Sequence, residues 1–175
     1  YLMLIILTLF LGMAQGLQPV FSYFMGTGEE KRTKSLLRFS IYTFLIIGVI
    51  GYVLIVFFGR SFFFIFSPND TELIDFTTSK SYPYFCGFFL AGFNILMISY
   101  YQANKKIKPA LLISLSRSVI FPPILIGIVP LIFGKDSIWL CHSVSEFLAA
   151  LSSVFILVTS KIKNKNGHVR PLDIH

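Results

Sequence analysis

Residues 11–26 read LGMAQGLQPVFSYFMG, an apolar run that carries Gln15, Gln18 and Pro19 near its middle. These residues are unfavourable in a buried helix of a soluble protein, because a buried amide needs partners and proline removes a backbone hydrogen bond. The charged stretch TGEEKRTK follows directly. The solvent around this helix therefore decides how its polar residues are to be interpreted.

Composition indicates that this solvent is a lipid bilayer. Hydrophobic residues make up 55% of the 175 residues, charged residues only 13%, and the mean hydropathy is +0.76, whereas a soluble domain has about 25% charged residues. A helix needs about 20 mostly apolar residues to cross a hydrocarbon core of about 30 Å. The sequence predicts an all-α membrane protein with five transmembrane helices, at residues 1–24, 36–58, 81–102, 110–133 and 137–160.

The basic residues predict the orientation. When the connections alternate between the two sides, twelve of the 15 Lys and Arg residues fall on one side and three (Arg60, Lys80 and Lys135) on the other. By the positive-inside rule, the 26–35 and 103–109 connections and the tail from residue 161 face the cytoplasm. The net charge of +7 then reflects topology and attraction to anionic lipid, and we expect no nucleic-acid partner.

The apolar run is already under way at Tyr1, with no basic segment before it. Together with the odd number of spans, this leads us to expect at least one further helix before Tyr1. We therefore predict an incomplete transmembrane lobe at residues 1–160, followed by a basic cytoplasmic tail at residues 161–175.

The first helix has a polar face. Pro19 cannot donate to the Gln15 carbonyl, which is left without its helical partner. At 3.6 residues per turn, five residues fall on one stripe of this helix: Thr8, Gly12, Gln15, Pro19 and Ser22. Gln18 lies at the edge of the stripe. Two interpretations stay open here: a polar seam where helices pack, or a helix broken at Pro19 that lines a substrate cavity.

The fourth predicted helix repeats this pattern close to a charge. Pro122 and Pro123 free the carbonyls of Ser118 and Val119, next to Arg117. At 1.5 Å per residue, Arg117 lies about 12 Å from the cytoplasmic side. Glu146, on the fifth helix, lies about 16 Å from the same side. We therefore expect either an ion pair or a contact of Arg117 with the freed carbonyls.

A charge at mid-membrane costs about 3 kcal/mol even on lenient scales, so these residues are candidates for function. Glu146 either neutralises Arg117 and fixes the packing of two helices, or takes part in cation or proton coupling. A metal site with His142 would need a further ligand at that level, and we predict none. Asn94 and Tyr101 form a weaker polar stripe on the third helix, open to packing or to cavity contact.

Four segments carry a resemblance to the multidrug and toxic compound extrusion (MATE) family. GMAQGLQPVFSYFMGTGEEKRTK (12–34) resembles its Gln-Pro-containing eighth helix and the basic loop that follows. FSPNDTELIDF (66–76) is similar to its connection between helices 9 and 10. The segment ISYYQANKKIKPALLISLSRSVIFPPILIGIVPLIFG (98–134) resembles its helix 10 to 11 region, and WLCHSVSEFLAAL (139–151) its helix 12, where an acidic residue commonly occupies the place of Glu146.

The resemblance implies a twelve-helix antiporter built of two six-helix lobes. Such a protein exports organic cations and amphipathic drugs in exchange for sodium ions or protons, has no other cofactor, and lies in the bacterial cytoplasmic membrane. This chain would supply five helices of the carboxy-terminal lobe, with the amino-terminal lobe and the bilayer as its partners. We predict substrate-cavity contacts at Gln15, Gln18, Asn94 and Tyr101, and charged support or ion coupling at Arg117 and Glu146.

One departure and three alternatives qualify this interpretation. Some family members place a cation-binding carboxylate on the tenth helix, where this chain offers only Asn94, so the coupling carboxylate lies at Glu146 or in the amino-terminal lobe. A flippase for lipid-linked oligosaccharides has a related fold but would need several deep basic residues. The remaining alternatives are an intramembrane enzyme that uses His142 and Glu146, and a structural subunit. We predict that the chain is not an enzyme.

Overall fold

The chain folds into a bundle of α-helices. The computed structural model describes the backbone of residues 1–166 and the side chains of residues 1–159, and no strand occurs in that part. The α-helices are α1 (Leu2–Gly26), α2 (Glu30–Phe66), α3 (Thr71–Phe85), α4 (Phe88–Ala103), α5 (Ile107–Leu115), α6 (Phe121–Phe133) and α7 (Cys141–Asn166). A π-helical turn, Ser116–Ile120, joins α5 to α6, and a 3-10 segment, Lys135–Leu140, precedes α7.

The number of spans agrees with the sequence prediction. Four helical stretches of the described chain are long and apolar enough to cross a membrane, and a fifth is obtained when α3 and α4 count as one bent span. The stretch Ile107–Phe133 counts as one span because α5, the π turn and α6 follow each other without a gap. The prediction of an all-α, multi-pass membrane protein is confirmed.

The second helix is longer than predicted. α2 has 37 residues, which at 1.5 Å per residue is about 55 Å, far more than the hydrocarbon core requires. The basic residues after Glu30 form its first turns, and the aromatic residues before Phe66 form its last turn instead of an external loop. At its start Lys34 pairs with Glu30 at 3.0 Å, and the acidic residue suits the helix amino terminus.

The last helix passes the predicted end of its span. α7 continues to Asn166, six residues beyond the predicted limit at 160. Residues 167–175, the larger part of the predicted basic tail, lie outside the described residues.

The third predicted span is bent where one straight helix was expected. α3 and α4 meet at 45° across Cys86 and Gly87. The bend packs against α7: the Gly87 N–H donates to Ser143 Oγ at 2.8 Å, and the Ser143 hydroxyl donates to the Pro83 carbonyl at 2.7 Å. A Cβ at Gly87 would come within 2.7 Å of Ser143 Cα. The absence of a side chain at Gly87 therefore allows the bend to dock on α7.

The centre of the bundle is α4, which contacts α1, α2, α5 and α7. Eleven of its 16 residues are buried, so it has no continuous face left for lipid. Phe10 of α1 packs on Gly92 of α4, and its ring lies 5.7 Å from that of Phe44 on α2. The functional side chains described below are arranged around this helix.

The bundle has two ends, which we name by their residues. At the basic end lie the α1–α2 and α4–α5 connections, and there Ser22 Oγ donates to the Ala103 carbonyl at 3.4 Å. The opposite end, the Trp139 end, contains the α2–α3 connection and the 3-10 segment, and there Lys80 pairs with Asp136 at 2.8 Å. The outer surface between the ends carries large apolar side chains, which a bilayer would cover.

Close contact of α2 with α4 depends on Gly48, because a Cβ at this position would overlap the main chain of Phe89. We predict that Gly48→Ala lowers the free energy of unfolding by about 1–3 kcal/mol, the usual cost of overpacking, although alanine favours helix formation. The measurement is thermal unfolding of the purified protein in detergent.

The matched control is Gly51→Ala, three residues further along α2, where a Cβ would make ordinary contact at 3.5 Å with the Phe88 ring. This variant should be as stable as the parent or more so. Equal stability of the two variants would show that the α2–α4 contact is not set by Gly48.

Candidate functional site

A buried ion pair lies at the junction of three helical segments. Glu146 of α7 is 2% exposed, and Arg117 of the π turn donates through Nε to its carboxylate oxygens at 2.7 and 3.0 Å. Asn94 of α4 donates through Nδ2 to Glu146 Oε2 at 2.9 Å. Of the two contacts expected for Arg117, the ion pair with Glu146 is therefore present, and Asn94 is a third partner that was not predicted.

The π turn places Arg117 toward α7. In this turn the Phe121 N–H donates to the Ser116 carbonyl five residues before it, so the backbone is wider than in an α-helix. The turn ends at Ile120, and α6 then begins at Phe121 with Pro122 and Pro123 in its first turn. These prolines have no N–H to continue the usual pattern. The prolines thus stand where the helical geometry changes, and π turns of this kind occur frequently at functional sites.

Asn94 connects α4 to α7 through each end of its amide. Its Nδ2 also donates to the Glu146 backbone carbonyl at 3.0 Å, and its Oδ1 accepts from Ser153 Oγ at 3.2 Å. Asn94 is fully buried, where an unpaired amide would be costly. It therefore orients Glu146 and forms part of the charged site.

The charges of this site are nearly removed from solvent. The side chain of Glu146 is 3% exposed and that of Arg117 is 16% exposed. The carboxylate is held by donors from two other segments, which offsets part of the cost of burying it. Any event that removes the Arg117 contact leaves an uncompensated charge inside the bundle, so the pair favours one arrangement of the π turn against α7.

His142 lies one turn before Glu146 on α7. Its ring stacks on Tyr84 of α3, with centroids 5.0 Å apart and planes inclined by 27°. The residue as a whole is half-buried, but its Nε2 is fully buried and has no hydrogen-bond partner among the residues that the structure describes. A buried ring nitrogen without a partner is uncommon and requires an explanation.

The Gln-Pro face of α1 points out of the bundle. Gln15 and Pro19 are exposed and Gln18 is half-buried, whereas α1 packs through Phe10, Ala14 and Phe21. α1 continues through Pro19 without interruption, so the break at Pro19 that one of the two interpretations proposed does not appear. No described helix covers the face either, so it is not a packing seam within the described bundle.

The four predicted cavity residues do not share one surface. Asn94 and Tyr101 are 0% and 1% exposed and lie in the interior around α4. Gln15 and Gln18 lie on the outer side of α1. The structure thus joins Asn94 to the Arg117–Glu146 pair and leaves the glutamines on a separate face.

Sequence reasoning missed the role of the serines on α7. Ser143 holds the α3–α4 bend and Ser153 binds Asn94. The signal was present in their spacing, because Ser143, Glu146, Ala150 and Ser153 recur every three or four residues and so share one helix face. Within the described chain no three His, Cys, Asp or Glu side chains are grouped to hold a metal ion.

Comparison with known proteins gives one family. The family model MatE matches residues 1–126, which extend from α1 into α6. Comparison with curated proteins and with solved structures gave no match. Asn94 and Arg117 lie inside the matched region, and Glu146 lies beyond it.

We predict that Arg117→Leu and Glu146→Leu each lower the free energy of unfolding by about 3–5 kcal/mol, because each leaves one buried charge without its partner. The double variant should lose less than the sum of the two single losses, since no charge then remains buried. A double-mutant cycle from unfolding in detergent measures this coupling.

The exposed pair Arg60–Asp75, with side chains 67% and 63% exposed, provides the control. Arg60→Ala or Asp75→Ala should change stability by less than about 1 kcal/mol. If the Arg117 and Glu146 variants lose as little stability as the Arg60 and Asp75 variants, the assignment of Arg117–Glu146 as a desolvated ion pair is contradicted.

Proposed function

The chain belongs to the multidrug and toxic compound extrusion (MATE) family, whose members are transporters, and we propose that it forms part of the carboxy-terminal lobe of a secondary antiporter. In this proposal the complete protein exports organic cations or amphipathic drug-like compounds in exchange for sodium ions or protons. Transport needs no covalent chemistry, because differential binding of substrate and ion to two conformations is sufficient.

The observation that carries this proposal is the buried carboxylate of Glu146 between Arg117 and Asn94. An intramembrane acid is costly and is therefore a candidate for a functional site, such as part of an ion pathway. An ion or proton that neutralises Glu146 weakens the attraction to Arg117, and the π turn that carries Arg117 is then no longer held to α7. Ion binding is thereby linked to helix movement.

A second feature supports a substrate cavity on the outer side of α1. Among surfaces that are otherwise apolar, this face exposes Thr8, Gly12, Gln15 and Pro19. Lipid would leave the Gln15 amide without partners. We propose that this face looks across a water-filled cavity toward the amino-terminal lobe, and that Gln15 and Gln18 contact the substrate there.

Asn94 and Tyr101 have a different role in this proposal. Both are almost fully buried, so neither is a substrate contact in the conformation observed. Asn94 holds the ion-coupling carboxylate, and Tyr101 packs in the core of α4 between that site and the basic end.

The engagement of Arg117 favours cationic or amphipathic cargo over a lipid-linked pyrophosphate. A pyrophosphate cargo would need free basic groups deep in the lobe, and Arg117 is held by Glu146 at 2.7 Å. The other basic side chains that the structure describes lie toward the two ends of the lobe. We further propose that the basic end faces the cytoplasm of a bacterial cell, as the positive-inside rule predicts.

The test is dye efflux by the full-length protein in cells, measured against external pH and sodium concentration. Glu146→Gln should remove the dependence on the coupling ion, because the amide keeps the size of the side chain but cannot carry the charge. Efflux driven only by the dye gradient should persist.

The control is Asp75→Asn, which removes an exposed acidic residue near the Trp139 end. It should leave the ion dependence unchanged. If Glu146→Gln keeps the dependence of the parent protein, Glu146 has only a structural role and the coupling site lies elsewhere.

A further inference from the structure

We propose that His142 delivers the coupling proton to Glu146 from the Trp139 end of the lobe. The inference rests on the proposed function and names its coupling ion as the proton. It starts from the one ring nitrogen in the described chain that is buried without a partner, His142 Nε2.

The position of His142 suits a relay. Side chains four residues apart on a helix are neighbours, with Cβ atoms about 5–6 Å apart, so His142 and Glu146 lie on one face of α7. His142 is about 6 Å closer to the Trp139 end than Glu146 is. Because His142 is half-buried and lies nearer the Trp139 end, it can connect that end of the lobe with the fully buried carboxylate of Glu146.

Few other groups compete for a proton at this place. The imidazole interacts electrostatically with Glu146 on its own helix and with Arg117 of the π turn. From α3 it faces Tyr84, whose ring covers one side of it. The α6 sequence contains no titratable residue, and α4 offers the neutral Asn94. The Lys80–Asp136 pair lies further out, at the Trp139 end.

The environment of Glu146 favours a proton over a sodium ion. Sodium is held by several oxygen ligands, whereas two positions around this carboxylate are taken by nitrogen donors, Arg117 Nε at 2.7 Å and Asn94 Nδ2 at 2.9 Å. The positive guanidinium also repels a second cation at this distance. A proton needs only one carboxylate oxygen and no coordination shell.

The proton moves in two steps. His142 takes up a proton from water at Nδ1, because its Nε2 is fully buried. The resulting imidazolium is drawn to Glu146 in competition with Arg117. The imidazolium then gives a proton to a Glu146 oxygen, so that both His142 and Glu146 are neutral. Arg117 has now lost its ionic partner, and the π turn is free to move away from α7.

The test compares proton-driven transport by the full-length protein in liposomes across a range of pH. His142→Phe keeps an aromatic ring against Tyr84, and His142→Gln keeps a polar side chain; neither carries a proton. Both should lose the pH dependence of transport while retaining the substrate affinity of the parent protein. The control His168→Gln removes a histidine from the tail and should leave the pH profile intact.

A second measurement does not depend on transport. Trp139, the one tryptophan among these 175 residues, lies with its ring 6.5 Å from the Tyr84 ring, which stacks on His142. Its emission should change over the pH range in which transport changes, and the same change should be absent from His142→Phe. The Trp139→Phe variant of the full-length protein lacks this emission, so the difference from the parent protein identifies the part of the signal that comes from Trp139.

The outcomes separate this inference from the proposed function. If Glu146→Gln loses the ion dependence but both His142 variants keep the pH profile, the relay is refuted and the antiport proposal stands. If the parent protein shows no proton dependence at all, proton antiport itself fails. Should His142→Phe fail to give a monodisperse protein, His142→Gln alone decides, because it removes the proton carrier without changing polarity.

Discussion

The arrangement of the bundle depends on the contact between a guanidinium and a carboxylate that are both withdrawn from solvent. Glu146 is fixed on α7, and Arg117 reaches it from the π turn Ser116–Ile120. Asn94 extends the contact to α4, in which eleven of 16 residues are buried. Three segments that are distant in sequence are thus held together by one charge pair and one amide.

This arrangement explains why polar side chains are tolerated in an apolar chain. A polar group in hydrocarbon is stable only where protein or water satisfies it. Asn94 and Ser153 satisfy each other in the interior, and Ser143 satisfies the backbone at the α3–α4 bend. Gln15, on the outer side of α1, has no comparable partner within the described bundle, which is the physical basis for proposing that its face borders water.

Much of the fold could be predicted from composition and depth alone. The lengths of the apolar stretches predicted the membrane spans. The rise per residue placed Arg117 and Glu146 at matching depths on adjacent helices, which is why an ion pair between them could be foreseen. The extension of α2 was not predictable in this way, because a helix does not have to end where the hydrocarbon ends. Nor could the α3–α4 bend be located, since it depends on the close approach of Gly87 to Ser143.

The separation of Gln15 from Asn94 could not be predicted for a related reason. Helical periodicity shows which residues share a face, but which face meets a neighbour is decided by packing. Phe10 and Phe21 fit α4 and turn the glutamines outward. Pro19 did not break α1 because a membrane helix accommodates the loss of one hydrogen bond. By contrast, the prolines after Arg117 coincide with a real change of helical geometry.

The central claim is that deep polar groups of this chain either satisfy one another or border water. Its most direct test is labelling of Gln15→Cys with a charged, water-soluble thiol reagent in the full-length protein, in a background without Cys86 and Cys141. Ile50→Cys, at an exposed apolar position of α2, is the comparison. The account predicts that the Gln15 position reacts and the Ile50 position stays protected; protection of both positions would contradict it.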